Sequence, residues 1–222
     1  MNNCLPPSHV SRTADEIVND KLVFDSAGYL YRAMSWLDYF EKQSQFTSLM
    51  YACIEARVGI EYLIFEEIVI STGAKLSQAE YEKCLKDSTK LYKILNKITP
   101  DYLKLQEFSL IIISFEPRFP KVIQWNMKEL LKSWGVISSY LHWSGSRNNT
   151  TELKSWRDNT FSSIKNEIEP IWLKITSGKS AMMHPDDMHP EIKGIWCDFE
   201  NGKVDREGVK IRMNILNSLF SG

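Results

Sequence analysis

Between Gln45 and Ser71 the chain carries a long, largely apolar run whose spacing suits a helix. Phe46, Leu49, Met50, Cys53, Ile60 and Ile64 fall within a narrow arc at about 100° per residue. Gly73 stands where a C-terminal glycine belongs. No segment of the chain sustains the period-two alternation of a half-buried strand, so little or no sheet is expected. A helix this apolar needs other helices packed against it. The reading is an all-α fold: a helical bundle of about five to six main helices with a short helical C-terminal appendage.

The flanking segments extend the same pattern. Residues 1–24 form an N-terminal arm, with Pro6-Pro7 and little periodicity, and its first dozen residues are expected to be loose. Ser26 is placed to cap a helix with Leu30, Met34, Leu37 and Phe40 on one stripe. Ser77-Gln78-Ala79-Glu80 reads as a capping box opening the next helix. Thr99-Pro100 is expected to close that helix and start another, over Asp101 to about Ser114. The Glu116–Pro120 break precedes a helix from roughly Ile123 to His142. Trp125, Trp134 and Trp143, nine residues apart, would then point to alternating sides of it. Thr150 or Thr151 can cap a long helix reaching about Thr176, with Pro170 kinking it. The bundle therefore spans 25–178. Residues 179–222 add a loop and two short helices, about Pro190 to Glu200 and Asp205 to Phe220.

Composition narrows the function classes. The chain has 222 residues and a formal charge of −1, with 43% hydrophobic residues, which excludes a disordered acidic or basic chain. The longest purely apolar stretch, Leu49 to Ile54, is far short of the roughly 18 residues a bilayer span needs. With no signal-peptide pattern either, the expected location is cytoplasmic. Cys4, Cys53, Cys84 and Cys197 form no CxxC pair and suggest neither disulfides nor structural zinc. There is no glycine-rich phosphate loop, GxSxG elbow or HExxH, so no cofactor or metal is implied. Charge is uneven: residues 118–179 hold 10 Lys+Arg against 5 Asp+Glu, a net of +5. Such a segment suits either a phosphate backbone or an acidic neighbour within the fold.

Four groups of residues could carry chemistry. Arg57 sits inside the apolar stripe of the 45–71 helix, with Glu61 one turn on and Glu67 further along it. A buried Arg57–Glu61 pair fixing helix register is the simplest reading, since an unpaired charge in a core is costly; a pocket or oligomer interface is the sharper one. His142-Trp143-Ser144-Gly145-Ser146-Arg147-Asn148, followed by Glu152, gathers groups able to hold a phosphodiester at a helix start. A surface turn is the plainer alternative. His184-Pro185-Asp186-Asp187-Met188-His189 has ligand-type side chains, but its prolines and spacing read better as a loop entering a helix at Pro190. The tryptophans at 125, 134, 143, 156 and 172 could stack bases, but in a helical protein they read first as core.

At Glu55-Ala56-Arg57-Val58-Gly59-Ile60-Glu61 and at Arg147-Asn148 the chain resembles the HEPN superfamily of small helical proteins. The resemblance covers about residues 26–177. It implies a dimer or complex subunit in a prokaryotic defence or toxin–antitoxin system, contacting RNA or a protein partner. An active member would be a metal-independent ribonuclease, with Arg147 in the central role, Asn148 orienting it, and His142 or Glu152 as acid/base. The family's motif places a His after the Arg. Here those positions hold Glu152, Leu153 and Lys154, and His142 stands on the other side of Arg147. A non-enzymatic helical adaptor or inhibitor is the alternative.

Overall fold

The computed structural model describes residues 8–21, 25–73, 76–86, 88–115, 122–142, 154–180 and 182–220. The fold is all-α. Among the described residues the α-helices are α1 (Ala14–Val18), α2 (Ser26–Gln43), α3 (Phe46–Ser71), α4 (Gln78–Lys86), α5 (Ser88–Ile113), α6 (Met127–Leu141), α7 (Lys154–Ser177), α8 (Pro190–Glu200) and α9 (Arg206–Phe220). That is more than the sequence suggests, because the arm contributes α1. The only β pairing among these residues is a two-residue parallel ladder, Val122 with Lys179 and Ile123 with Ser180. No helix among them is long and apolar enough to cross a membrane.

Local chemistry explains the helix starts. The capping box predicted at Ser77 is present: Ser77 N donates to Glu80 Oε2 at 2.8 Å and Glu80 N to Ser77 Oγ at 3.4 Å. A second box, Thr13 with Glu16, opens α1. The cap of α2 is Asp25, not Ser26; its carboxylate accepts from Gly28 N at 2.7 Å, and Ser26 is already helical. Helix α6 begins four residues later than expected, because Asn126 Oδ1 accepts from Lys128 N and Glu129 N and so defines the start. Trp125 therefore precedes the helix, and the nine-residue Trp spacing imposes no two-sided burial on it. Pro100 does not break α5, which runs through it to Ile113. One lost ladder bond is outweighed by the burial of Tyr102, Leu105, Phe108 and Ile111 beyond it.

The chain divides into two compact units: Met1–Ile64 with Trp125–Ser177, and Phe65–Gln124 with Gly178–Gly222. This differs from a division at 178/179. In the first unit α2 packs along α7, and α6 also packs on α7. Leu30, Leu37, Leu49, Ile60, Ile137, Ile164 and Ile168 are fully buried. Gly59 of α3 lets α2 approach closely; a Cβ there would lie 3.0 Å from Leu30 Cγ. In the second unit the C-terminal segment shares one core with α5: Leu105, Phe108, Ile111 and Ile112 pack with Met188, Ile195, Trp196, Val209 and Met213. The two C-terminal helices thus belong to a core rather than forming an appendage.

The arm is also docked, from residue 8 onward. Tyr31 OH donates to Ser8 O at 3.0 Å, Ser11 N donates to Asp38 Oδ2 at 2.8 Å, and Arg12 lies over the Tyr31 ring while pairing with Asp20 at 2.6 Å. His9 packs edge-on against Trp172, ring centres 6.0 Å apart. Burial holds the His9 pKa below its ordinary value; Asp38 and Glu169 pull it up, Lys165 and Lys42 push it down. A folded-state pKa that is lowered means the released chain binds the proton more readily. Docking strength is therefore full above the free-histidine value and is lost as pH falls through the folded one. Hydrogen-exchange protection of residues 8–20 should decline as pH drops below about 6.5, and His9→Phe, which keeps a ring against Trp172, should flatten that pH dependence.

Candidate functional site

Helix α3 carries five charged side chains along its apolar length, Glu55, Arg57, Glu61, Glu66 and Glu67, and the structure treats them differently. Arg57 Nε donates to Glu61 Oε1 at 3.2 Å, so the expected pair forms. It is not buried: the two side chains are 36% and 30% exposed. Trp134 of α6 completes the group, its indole Nε1 donating to the same Glu61 oxygen at 2.9 Å while the Arg57 guanidinium lies 5.2 Å from its ring centre. The pair thus sits at the edge of a helix contact, where both charges reach water and their desolvation is slight. Position within a stripe could not reveal this, because α3 is apolar nearly all round and the wheel does not say which side stays uncovered.

Glu67 is the buried one, at 2% exposure. Tyr102 OH donates to Glu67 Oε2 at 2.8 Å, and Gln106 Nε2 donates in turn to the Tyr102 oxygen. Burial, then the adjacent Glu67 charge and hydrogen bond, raise the Tyr102 pKa strongly, so the phenol keeps its proton. Tyr102 and Gln106 lie one turn apart on α5, a spacing that hints at a shared face, but their meeting with Glu67 has no signature in the sequence.

This polar group backs a cleft of about 210 Å³ in the second unit. Ser71 at the end of α3, Tyr102 and Leu105 of α5, His184, and Trp196 and Glu200 of α8 line it. His184 is tightly seated. Its Nδ1 accepts from Asp186 N at 3.2 Å, which assigns the ring proton to Nε2. Gly73, at φ +59°, lies under the ring; a Cβ there would come within 2.7 Å of the imidazole. The glycine that ends α3 is thus also the floor on which the histidine rests. The segment 184–190 is the expected loop into a helix, with a 3₁₀ turn at Pro185–Asp187 and Pro190 opening α8. Among the described residues no group of three His, Cys, Asp or Glu is placed to hold a metal ion.

His142 is exposed and ends α6. Arg147, Asn148 and Glu152 lie outside the described residues. What can be placed are the two ends of their connection. Helix α7 begins at Lys154, and Trp156 in its first turn packs on Phe46, the first residue of α3, ring centres 5.3 Å apart. Two helix N-termini therefore lie together where the 143–153 connection enters α7. Of the tryptophans, Trp125 and Trp172 are core, and Trp134 and Trp156 are partly covered. Burial pushes the Cys53 thiol up to about 12, which leaves it protonated and inert.

No match settles the family. No protein-family model, no curated protein and no solved structure matches this chain.

The Glu67 group makes a direct prediction. Tyr102→Phe removes the donor to a buried carboxylate and should cost about 1–3 kcal/mol in urea unfolding. In a Glu67→Gln background the same change should cost clearly less, because no buried charge is left without its donor.

Proposed function

We propose that the chain is a HEPN-like cytoplasmic protein of a prokaryotic defence or toxin–antitoxin system, acting as a dimer or complex subunit that binds RNA through the 142–157 region. The observation that carries this reading is the meeting of the α3 and α7 N-termini at Phe46 and Trp156. The positive ends of two helix dipoles favour an anion there. Lys154 is exposed and Arg157 partly so, and both belong to the stretch of net charge +5. Arg147 and Asn148 stand in the connection entering that helix start, where a guanidinium suits bidentate contact with a phosphodiester.

Binding is favoured over cleavage. The positions that hold the family's His are Glu152, Leu153 and Lys154. A proton would have to move through His142 or Glu152, with Asn148 orienting Arg147.

A protein-binding adaptor is the second reading, and one observation favours it. Ile211, Ile215 and Leu219, one turn apart along α9, are 60%, 54% and 70% exposed, while Val209 and Met213 of the same helix fill the core. An exposed apolar stripe of this kind is a feature of partner-binding helices.

Fluorescence anisotropy with labelled single-stranded RNA separates the two. The wild type should bind with affinity that falls as salt rises. Arg147→Ala should bind about tenfold more weakly, with a salt slope smaller by about 0.7, and should melt at the wild-type temperature. If the wild type does not bind RNA, or Arg147→Ala binds equally well, the RNA reading fails. Capture of a protein partner that survives Arg147→Ala but is lost in Ile211→Glu/Ile215→Glu would then establish the adaptor.

A further inference from the structure

We infer that the outer face of α3 between Tyr51 and Tyr62 is the docking surface for a second copy of this chain, laid antiparallel across a twofold axis. The inference rests on the dimer of the proposed function and names its surface; it makes no use of the RNA site.

Helix α3 is apolar on its outer side as well as on its inner one. At about 100° per residue, Tyr51, Ile54, Val58 and Tyr62 fall within about 80° of one another. Tyr51 and Ile54 are 46% and 47% exposed, and Val58 and Tyr62 are half-buried. Rings of α2 hold the tyrosines in place. Trp36 lies 5.1 Å from Tyr51 and 5.8 Å from Tyr39 between ring centres, and Tyr29 lies 5.1 Å from Tyr62. The surface is therefore formed before any partner arrives, and tyrosine is a residue that protein interfaces favour.

The charges beside the stripe select the occupant. Along one edge Arg57 pairs with Glu61, and along the other Glu55 pairs with Arg32 of α2 at 3.0 Å. Each pair is neutral, so a strongly acidic or basic partner gains little from either edge. A second copy gains more. In an antiparallel pair of helices related by a twofold axis, each edge meets the same edge of the other copy. An axis near Val58 sets Ile54 against the partner's Tyr62 and brings Arg57 within about a turn of the partner's Glu61, and the reverse. The apolar stripe and the ion pair are then both self-complementary, as a twofold contact requires. From Tyr51 to Tyr62 the stripe is roughly 17 Å long. Even with Tyr39 and Trp134 beside it, such a patch buries no more than the roughly 1,200 Å² of the smaller specific interfaces, which makes the dimer reversible, with a Kd on the order of 10 µM.

Sedimentation velocity of the full-length protein between about 1 and 300 µM provides the test, a range that brackets the expected Kd. The wild type should pass from monomer to dimer. Ile54→Glu changes an exposed side chain, so it should melt near the wild-type temperature, and it should weaken the dimer at least about tenfold. Arg57→Glu leaves only negative charge at its edge and Glu61→Arg only positive charge. Each alone should dimerise about fivefold or more weakly than the wild type, and an equimolar mixture of the two should form a heterodimer tighter than either homodimer. That rescue across two chains cannot come from the pair within one helix. A wild type that stays monomeric, an Ile54→Glu variant that dimerises as the wild type does, or a mixture no tighter than its components would overturn the inference. A monomer that still binds RNA would remove this interface and leave the RNA reading standing; a dimer of this kind that binds no RNA would do the reverse.

Discussion

Burial of one face of α3 along its whole length is the constraint to which the other elements answer. Leu49, Ala52, Cys53, Ala56, Ile60, Ile64 and Ile68 are all essentially inaccessible along this one helix. Its other face reaches water, with Tyr51 and Ile54 46% and 47% exposed. Its first part packs in one compact unit and its last turns in the other, so a single element supplies the start of two cores. Gly59 makes the first possible by allowing α2 to within side-chain contact of the α3 backbone, and Gly73 ends the helix in a conformation that an L side chain rarely adopts.

The same constraint sorts the charges on α3. Arg57 and Glu61 survive at the edge because both reach solvent, and Trp134 links them by an indole hydrogen bond and ring contact. Glu67 sits inside, where a polar group needs partners, and Tyr102 supplies one. Removing a donor from such a group costs more than the bond itself contributes, so the pair ties α5 to α3 in one arrangement. Polar groups of this kind serve specificity of packing and, where a cleft adjoins them, electrostatic character as well.

The two places with functional potential differ in how they are built. At the α7 start, potential comes from backbone dipoles and from long basic side chains near water, so it is salt-sensitive and tolerant in geometry. In the second unit a buried glutamate is bonded to Tyr102 and a histidine is seated on a glycine, so the groups there are held in one geometry. The arm adds a third device, an imidazole whose burial against Trp172 makes docking depend on pH.

The sequence by itself determined the class of fold, most helix limits and the capping chemistry. These depend on residues within a turn or two of one another, as at Ser77 with Glu80, Gly73, and Pro190 to Glu200. It marked Glu67 as a polar residue in an apolar run. It did not reveal which charge on α3 is covered, that α8 and α9 share a core with α5, that Pro100 is carried through a helix, or that His184 rests on Gly73. Each of those depends on groups far apart in the chain, and the choice among them is made by burial, which is a property of the assembled surface and not of local spacing. Tertiary packing alone brought Tyr102 of α5 to Glu67 of α3, because the two positions are far apart in the chain and only the laying of α5 against the buried face of α3 makes them neighbours.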